Sequence, residues 1–509
     1  MTLNASGPIS LGGATVGQSI NLELGNAATA VASINSTPFR TLAGVASGTI
    51  TLSNFYGKSA GSYWALTSNV TTLRRGFAVS VNGILCIGGG VGSGVPAAQS
   101  IYFFNADGTF KKATKVNHFY GSDSIVYVLS TTNNNNTSEP IFYTVVEQNF
   151  ATNRGFAPFN STTNVNQFSS NTWRSISSQS GTVYIDASLQ GVMVDSSSNI
   201  YIVPRTPLFT QGKDEQRRTA HASVTSSGTG RYTRANSGSS IAAQYQAGNY
   251  AALRSDNVLV VVGVGDQTTL GLYTVNTSTG AQITTRRYTN GLTNSAHAQV
   301  LIDSSNNIYI VRPFTNSLPL IYKLDSSYAI VAAKYYTPSA GASAQAGWWA
   351  NGAIYNNTIY LLTTNSVQYA VSIVAVNSST LSPIWSLQVA FSNMSQITSE
   401  FQQFGQSAIR VTSVGIYIRT VVVKNSISNT CVLKLPLDGN ISGAKTITLS
   451  DASTCTATFT YSTSSWDAAD TSFSDFGNPS VTLTDYNFDG GSGQTPATAS
   501  TPTTAVSTF

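Results

Sequence analysis

The chain has 509 residues, too many for one ordinary domain, so we expect one large repetitive body with a small appendage. Charged residues make up only 9% of it and hydrophobic residues 41%, which disfavours disorder because enough apolar surface remains to build a core. The net charge is +5 and the basic pairs are scattered, which argues against nucleic acid as a partner.

Three cysteines, Cys86, Cys431 and Cys455, cannot all pair with one another and lack the spacing of a zinc or redox motif. We therefore expect a reducing assembly compartment. The sequence shows no signal-peptide pattern at its start, and no apolar stretch approaches the ~20 residues of a membrane span. We expect neither a secretion signal nor membrane insertion.

Residues 1–60 differ in sequence pattern from the rest of the chain. Two short strand-like runs flank a possible helical turn, and the segment is too small to build a core unaided. We expect it to fold against something else.

Short sequence motifs in residues 1–60 resemble those of a known group of proteins. The run PISLGG…GQSINLELG, followed by RTLAGVASGTITLSNFYGKS, resembles a short N-terminal module of virion proteins in tailed phages, especially marine phages. The resemblance covers about 60 of the 509 residues and implies a phage structural protein that docks through its N-terminus. An alternative is that the aromatic residues close the module's own small core. We expect eight residues at or near the docking surface: Phe39, Arg40, Leu42, Ser53, Phe55, Tyr56, Gly57 and Lys58.

Residues 61–485 form the body, and an internal repeat is visible in it. Residues 191–203 read GVMVDSSSNIYIV and residues 299–311 read QVLIDSSNNIYIV, identical at nine of thirteen positions. Each copy is an apolar run, a polar turn that starts with Asp, and a second apolar run, which predicts a β-hairpin. Strands that are apolar without clean alternation indicate sheets covered on both faces.

Weaker copies recur along the body with a mean spacing of about 55 residues, and a second hairpin pattern follows most of them. Two hairpins per repeat predict an all-β protein whose body is a β-propeller of about seven four-stranded blades. Ile200 and Ile308 should lie at matching positions two blades apart. The second apolar run gives seven register marks: Ile84, Ile125, Ile200, Val258, Ile308, Ile359 and Ile416.

The two ends of the body are expected to close the ring together, since strand-like runs occur at 62–69 and beyond residue 450. Residues 486–509 are rich in Gly, Pro and Thr, a linker composition, and predict a flexible C-terminal tail.

The sequence contains few residues that could form a catalytic site. The three histidines, His118, His221 and His297, stand apart, and Asp195 and Asp303 are expected to cap turns, with calcium ligation as the alternative. We expect no catalytic residues, no metal and no cofactor. The carboxylates that could in principle form an acid/base pair for cutting glycans are Asp186, Asp214, Glu215, Asp467 and Asp470.

Tryptophans among polar residues are the better candidates for binding. Trp173, Trp348 and Trp349 could stack on a sugar ring or a partner, although burial in the core is the alternative. Adjacent strand residues point to opposite faces, so one of Trp348 and Trp349 should be exposed.

The resemblance and the predicted body together imply a virion tail component of fibre or adhesin type, assembled in the host cytoplasm. Its expected partners are other tail proteins and a host surface glycan or receptor. Symmetric homo-oligomers are usual for such parts, and we expect no enzymatic activity. The alternatives are a tail-borne glycan depolymerase, a capsid or collar decoration protein, and a host or bacterial surface propeller.

Overall fold

The structure is a computed structural model. It describes residues 3–4, 6–15, 18–23, 27–31, 33–43, 45, 48–56, 63–71, 77–80, 83–91, 100–115, 124–130, 141–148, 154–160, 174–175, 183–186, 192–203, 206–211, 214–217, 220–225, 229–236, 248–264, 269–290, 298–313, 318–338, 351–365, 370–394, 396–397, 408–464, 466–471, 473–475, 483–485, 497–498 and 502–509. The chain divides into two compact units, Met1–Tyr63 with Thr508–Phe509, and Trp64–Ser507.

The first unit is built from short helices rather than the two strand-like runs that the sequence predicts. It contains α1 (Ile20–Glu23), α2 (Thr37–Ala43) and a 3-10 helix (Leu52–Phe55). The described part has a single β-bridge, between Ser10 and Ser19, because these runs are too short to build a ladder. Its core is formed by six buried side chains: Leu3, Ile20, Phe39, Leu42, Ala43 and Phe55.

The second unit is almost entirely β. Its first strands are β1 (Trp64–Ser68), β2 (Val70–Thr71), β3 (Phe77–Val79), β4 (Leu85–Val91), β5 (Ser100–Phe104), β6 (Phe110–Lys115), β7 (Ser124–Ser130), β8 (Ile141–Gln148), β9 (Arg154–Asn160), β10 (Arg174–Ser175), β11 (Val183–Asp186), β12 (Val192–Val194), β13 (Ile200–Ile202), β14 (Thr206–Gln211), β15 (Asp214–Arg217), β16 (Ala220–Val224) and β17 (Gly230–Asn236).

The next strands are β18 (Gly248–Leu253), β19 (Val258–Val264), β20 (Thr269–Asn276), β21 (Gln282–Asn290), β22 (Gln299–Ile302), β23 (Ile308–Pro313), β24 (Pro319–Leu324), β25 (Ile330–Pro338), β26 (Asn351–Tyr355), β27 (Thr358–Asn365), β28 (Ala370–Asn377), β29 (Pro383–Ser392), β30 (Gln396–Ile397), β31 (Ile409–Thr412), β32 (Gly415–Lys424) and β33 (Ile427–Leu435). The last are β34 (Gly443–Thr448), β35 (Thr454–Ser462), β36 (Trp466–Asp470), β37 (Phe473–Asp475), β38 (Leu483–Asp485), β39 (Ala497–Thr498) and β40 (Thr504–Thr508).

Six sheets of five or six strands form the blades of a β-propeller. They are blade 1 (β2-β4-β5-β6-β39, with β3 on β4), blade 2 (β12-β13-β16-β17-β38), blade 3 (β18-β19-β20-β21-β37), blade 4 (β22-β23-β24-β25-β36), blade 5 (β26-β27-β28-β29-β35-β34) and blade 6 (β30-β32-β33-β1-β40, with β31 on β32). Two further sheets are β10-β9-β8-β7 and β11-β14-β15.

The innermost strands succeed one another around the ring. β12 contacts β18, which contacts β22, then β26, β31 and β3 in turn. Strands such as β24 are buried at every residue because blades cover both of their faces, as the unalternating apolar runs indicate. Blade 6 holds β1 and β40 side by side, so strands from both ends of the second unit close the ring. The runs between residues 450 and 485 that are expected from the sequence to close it instead pair with other blades, β35 with blade 5 and β38 with blade 2.

The blades have more strands than the predicted four because the C-terminal segment adds to their outer edges. We call strands β35 to β40 the C-terminal belt. They pair with blades 5, 4, 3, 2, 1 and 6 in that order, which is the reverse of the order in which the chain builds blades 1 to 5. Covering an edge satisfies backbone groups that would otherwise template pairing with another chain.

The belt also corrects the prediction of a flexible tail over 486–509. Within that range, Ala497 and Thr498 pair with β6, and Thr504–Thr508 form the outer strand of blade 6. A composition typical of linkers does not prevent pairing when a preformed sheet edge supplies the hydrogen-bond partners.

The sequence predicts about seven blades, whereas the described residues form six. Six of the register marks lie at the beginning of the second strand of a blade, Ile84 directly before β4 and the others at the start of β13, β19, β23, β27 and β32 within two residues. Ile200 and Ile308 are equivalent, in blades 2 and 4. Ile125 instead lies in β7, the first strand of the four-stranded sheet, which has no belt strand among the described residues.

Boundaries between neighbouring blades, which we call seams, contain a polar contact that we call the seam pin. A side chain of one blade donates to a carbonyl in the segment that follows the third strand of the next blade. Five seams have such a pin in the described residues: Trp64 Nε1 to Ala106 O, His221 Nε2 to Gly280 O, Tyr288 Oη to Tyr328 O, Tyr336 Oη to Leu381 O, and Tyr360 Oη to Leu437 O. Arg254, Tyr309 and Lys323 make further contacts of this kind at two of these seams.

Glycine is required where an aromatic ring lies directly on such a segment. Gly439 has φ +66° and an added Cβ would lie 2.5 Å from Cζ3 of Trp385. Gly108 and Gly280 have the same conformation beneath Trp64 and Tyr232. The left-handed backbone and the ring contact therefore exclude a side chain for two independent reasons.

Gly443 provides a matched control, since its φ is +82° but nothing lies within 4 Å of an added Cβ. We expect Gly443→Ala to cost about 1 kcal/mol of unfolding free energy from backbone strain alone. Gly439→Ala should cost about 1–3 kcal/mol more, because Trp385 must move. Urea denaturation of both variants measures the difference, and equal losses would contradict the ring contact.

Candidate functional site

Three of the residues predicted to dock lie inside the first unit rather than on its surface. Phe39 and Phe55 are buried with their rings edge to face, 6.3 Å between centroids, and Leu42 packs in the same core. This corrects the prediction for these three: an apolar ring in so small a unit contributes most when it is removed from water.

Arg40 holds the first unit together. Its guanidinium donates to the carbonyls of Asn35, Val45 and Gly48 and to Oδ1 of Asn35. A planar group with five donors is suited to joining several backbone carbonyls at once. Arg40 therefore shapes the surface without being free to bind a partner through those donors.

Ser53 and Tyr56 do lie at the surface. Ser53 Oγ is 2.6 Å from Thr51 Oγ1, and Tyr56 is 37% exposed with its hydroxyl donating to Gly7 O. Gly57 and Lys58 lie outside the described residues. Sequence reasoning missed the other exposed large apolar residues of this unit, although Leu11 belongs to one of the words that carry the resemblance: Leu11, Val31 and Leu52.

The three tryptophans proposed for binding, Trp173, Trp348 and Trp349, all lie outside the described residues. Other tryptophans are structural, since Trp64 and Trp385 are buried against glycines of neighbouring blades.

The two copies of the DSSxN motif form equivalent hydrogen-bond networks, which confirms that Asp195 and Asp303 cap their turns. Asp303 Oδ1 accepts from the backbone of Ser305 and Asn307, and Oδ2 accepts from Asn307 Nδ2 and Tyr309 Oη. Asp195 makes the same contacts to Ser197, Asn199 and Tyr201. Desolvation acts to raise the pKa of each carboxyl, but these hydrogen bonds outweigh it and lower the pKa of both.

A cation completes each network. Lys323 lies 5.6 Å from the Tyr309 ring centroid and donates from Nζ to the carbonyls of Ser378 and Ser379 in blade 5. Arg231 donates to Tyr201 Oη and Ser223 Oγ. These networks join strands and blades, and the described residues contain no group of three His, Cys, Asp or Glu side chains that could hold a metal.

The remaining acid and base candidates are not brought together in the described residues. Asp467 and Asp470 are both exposed on β36, opposite Thr337 and Lys334. Asp186, Asp214 and Glu215 lie in β11 and β15, and their side chains are outside the described set. His118 and His297 lie outside it too, while His221 is fully buried in the seam between blades 2 and 3.

All three cysteines are buried free thiols. Burial raises the pKa of Cys86, Cys431 and Cys455, the last to about 11, which keeps these thiols protonated and poorly nucleophilic at neutral pH. No helix in the described part of the chain has the length and apolar character needed to cross a membrane.

No family model and no curated protein matches the sequence. Solved structures do, at low similarity: a prolyl endopeptidase at 10% identity and TM-score 0.38 (79% of this chain, 55% of that one), and the polysaccharide lyase Uly1 at 8% and 0.35 (72% and 90%). A third is the WD40 domain of Toxoplasma gondii coronin, at 10% and 0.35 (74% and 87%). This chain thus spans about half the length of the prolyl endopeptidase.

The expectation that the protein is not an enzyme is corrected by these neighbours. They include the prolyl endopeptidase, the polysaccharide lyase and the NanB sialidase of Streptococcus pneumoniae.

The Asp networks can be tested with a matched pair. Asp303→Asn places an amide N–H against donors from Asn307 or Tyr309, so we expect a loss of about 1–3 kcal/mol at pH 7. Asp325→Asn, in an exposed turn with no tyrosine partner, should lose less. Because the folded pKa of Asp303 is lowered, its contribution is present at neutral pH and lost as pH falls through that value. Urea denaturation at pH 7 and pH 3 measures both; a constant difference between wild type and Asp303→Asn would contradict the network.

Proposed function

We propose that this protein is a structural component of a tailed-phage virion, of the tail fibre or adhesin type. The first unit docks on other tail proteins, and the propeller is presented to the host surface or to neighbouring subunits in a symmetric assembly. The observation that carries the proposal is the set of words in residues 1–60, which fall within a compact unit that ends at Tyr63.

The exposed side of the first unit supports a docking role. It carries four of the eight exposed large apolar residues found in the described chain, Leu11, Val31, Leu52 and Tyr56. A partner that covered these side chains would remove apolar surface from water, which would stabilise the docked state.

The outer rim of the propeller supports contact with neighbouring subunits. Ile283, Val331 and Ile384 are 52%, 52% and 41% exposed. Each is the second residue of the fourth strand in its blade, in the successive blades 3, 4 and 5. Apolar side chains repeated at one position of a rigid ring suit a symmetric partner surface.

We also propose that the sheet β7–β10 completes the ring as a seventh blade. Its strand β7 contacts β3 and β4 of blade 1 on one side and β12 of blade 2 on the other. The belt supports the same arrangement. β38 pairs with blade 2 and β39 with blade 1, and the interval between them, residues 486–496, is longer than that between any other two consecutive belt strands. A seventh blade would lie at this point of the ring. An experimental map of the particle would count the blades directly.

The docking proposal is tested by removing residues 1–60. The body should remain folded, because its closing strands β1 and β40 are retained, but it should no longer incorporate into particles. Near-ultraviolet circular dichroism and quantitative immunoblotting of purified virions measure the two properties. Leu11→Asp and Leu52→Asp should lower incorporation, whereas Ile427→Asp, an exposed apolar site of the body, should not. Normal incorporation of the truncated body would refute the proposal.

The adhesive part of the proposal predicts weak salt dependence. With only 9% charged residues, contacts to a glycan should come from amides, hydroxyls and aromatic rings, which ions screen little. We expect attachment of virions to host cells to change less than about twofold between low and physiological salt. Attachment that collapses over this range would show that charge pairs, not neutral contacts, carry recognition.

A further inference from the structure

The seam pins differ in one chemical respect. Four of these five seams have a Tyr or Trp donor, which keeps its proton and its neutral charge throughout the acid range. The seam between blades 2 and 3 uses His221 instead. Histidine is the side chain that ordinarily changes charge between pH 5 and 8.

The tautomer of His221 is fixed by its partner. Nε2 lies 3.2 Å from the carbonyl oxygen of Gly280, and a carbonyl only accepts, so Nε2 carries the proton. Nδ1 is then a lone pair, and it has no hydrogen-bond partner. The side chain is 1% exposed, with the rings of Tyr232 and Tyr273 at 5.9 Å.

The described groups that face His221 are neutral or positively charged. Tyr232 and Arg234 come from β17 and Tyr273 from β20, and Arg234 adds a positive charge. Arg231 and Asp195 lie nearby, but Arg231 donates to Tyr201 and Ser223, and Asp195 is occupied by Ser197, Asn199 and Tyr201. Nδ1 has no hydrogen-bond partner among the described residues.

Among the described residues, the apolar cluster at this seam is smaller than those at the next two seams. It has six buried members, Val203 from blade 2 and the rest from blade 3. The described cluster between blades 3 and 4 has fourteen, and that between blades 4 and 5 has ten. A buried cation at this seam would therefore be opposed by less described hydrophobic burial than at those two seams.

We propose that the seam between blades 2 and 3 is an acid-sensitive joint of the propeller, which loosens when His221 is protonated while the seams pinned by Tyr and Trp remain closed. This goes beyond the proposed virion role and does not depend on it, since it concerns the ring alone. Protonation converts Nδ1 from an unpaired acceptor into a charged donor, and solvation of that charge requires the blades to separate.

The sign of the effect is set by the two pKa values. Burial lowers the pKa of His221 from 6.5 to about 4 in the folded state, so the folded protein keeps it neutral where the unfolded chain has already taken up a proton. The stability is therefore fully present above pH ~6.5 and is lost as pH falls toward about 4. The unfolding constant should rise about 20-fold between pH 7 and pH 5 from this residue alone.

The variant His221→Gln tests the joint, because its amide N–H can still donate to Gly280 O but does not titrate. We expect the 20-fold change between pH 7 and pH 5, measured by urea denaturation, to disappear from His221→Gln and to persist in the control variants His118→Gln and His297→Gln. Equal pH dependence in wild type and His221→Gln would overturn the proposal.

Two measurements on the native protein keep the test decisive if the variant does not fold. The His221 Cε1–H resonance should titrate near pH 4; titration near 6.5 without structural change would refute the proposal. Hydrogen exchange at pH 4.5 should accelerate at least tenfold in β16 and β20 but not in β24 and β28. Uniform acceleration would mean global acid unfolding and would also overturn it.

Discussion

An outer strand of a sheet presents backbone N–H and C=O groups with no partner, and the propeller is organised around the need to cover them. The C-terminal belt pairs one strand with the fourth strand of each of the six blades, and in blade 5 β34 lies outside the belt strand. β36, β37 and β38 end at Asp470, Asp475 and Asp485. A charge at the new edge disfavours further pairing, so the belt covers one set of edges without creating an equally adhesive one.

Seams between blades are mostly apolar, and their few polar groups act as fixed points. Lys323, Tyr309 and Asp303 form one chain of contacts that reaches the carbonyls of Ser378 and Ser379 in the next blade. Because these groups are satisfied, they set the position of one blade on the next without a desolvation penalty left over.

Much of the propeller could be predicted because its second strands are apolar on both faces and follow turns with an Asp or Asn, as in DSSNNIYIV. The belt could not, since its strands β36 to β39 have two to five residues and pair only with distant edges. The same applies to the candidate sites. From sequence alone, an aromatic residue such as Phe39 is equally consistent with a surface contact and with a position in the core. The burial of His221 depends on residues that the following blade contributes to the seam. Secondary-structure propensities of single residues do not contain information about such tertiary contacts.

The course of the belt has a consequence for synthesis. Thr67 in β1 donates to the carbonyl of Thr448, 381 residues away, and β40 is completed only at Thr508. Contacts so distant in sequence require loop-closure entropy to be lost before they stabilise the fold, so ring closure should be slow and should wait until β40 has been synthesised. A nascent chain on the ribosome, short of its last strands, holds hairpins whose outer edges are open. That species, rather than the finished ring, is the one that chaperones and proteases of the host would meet.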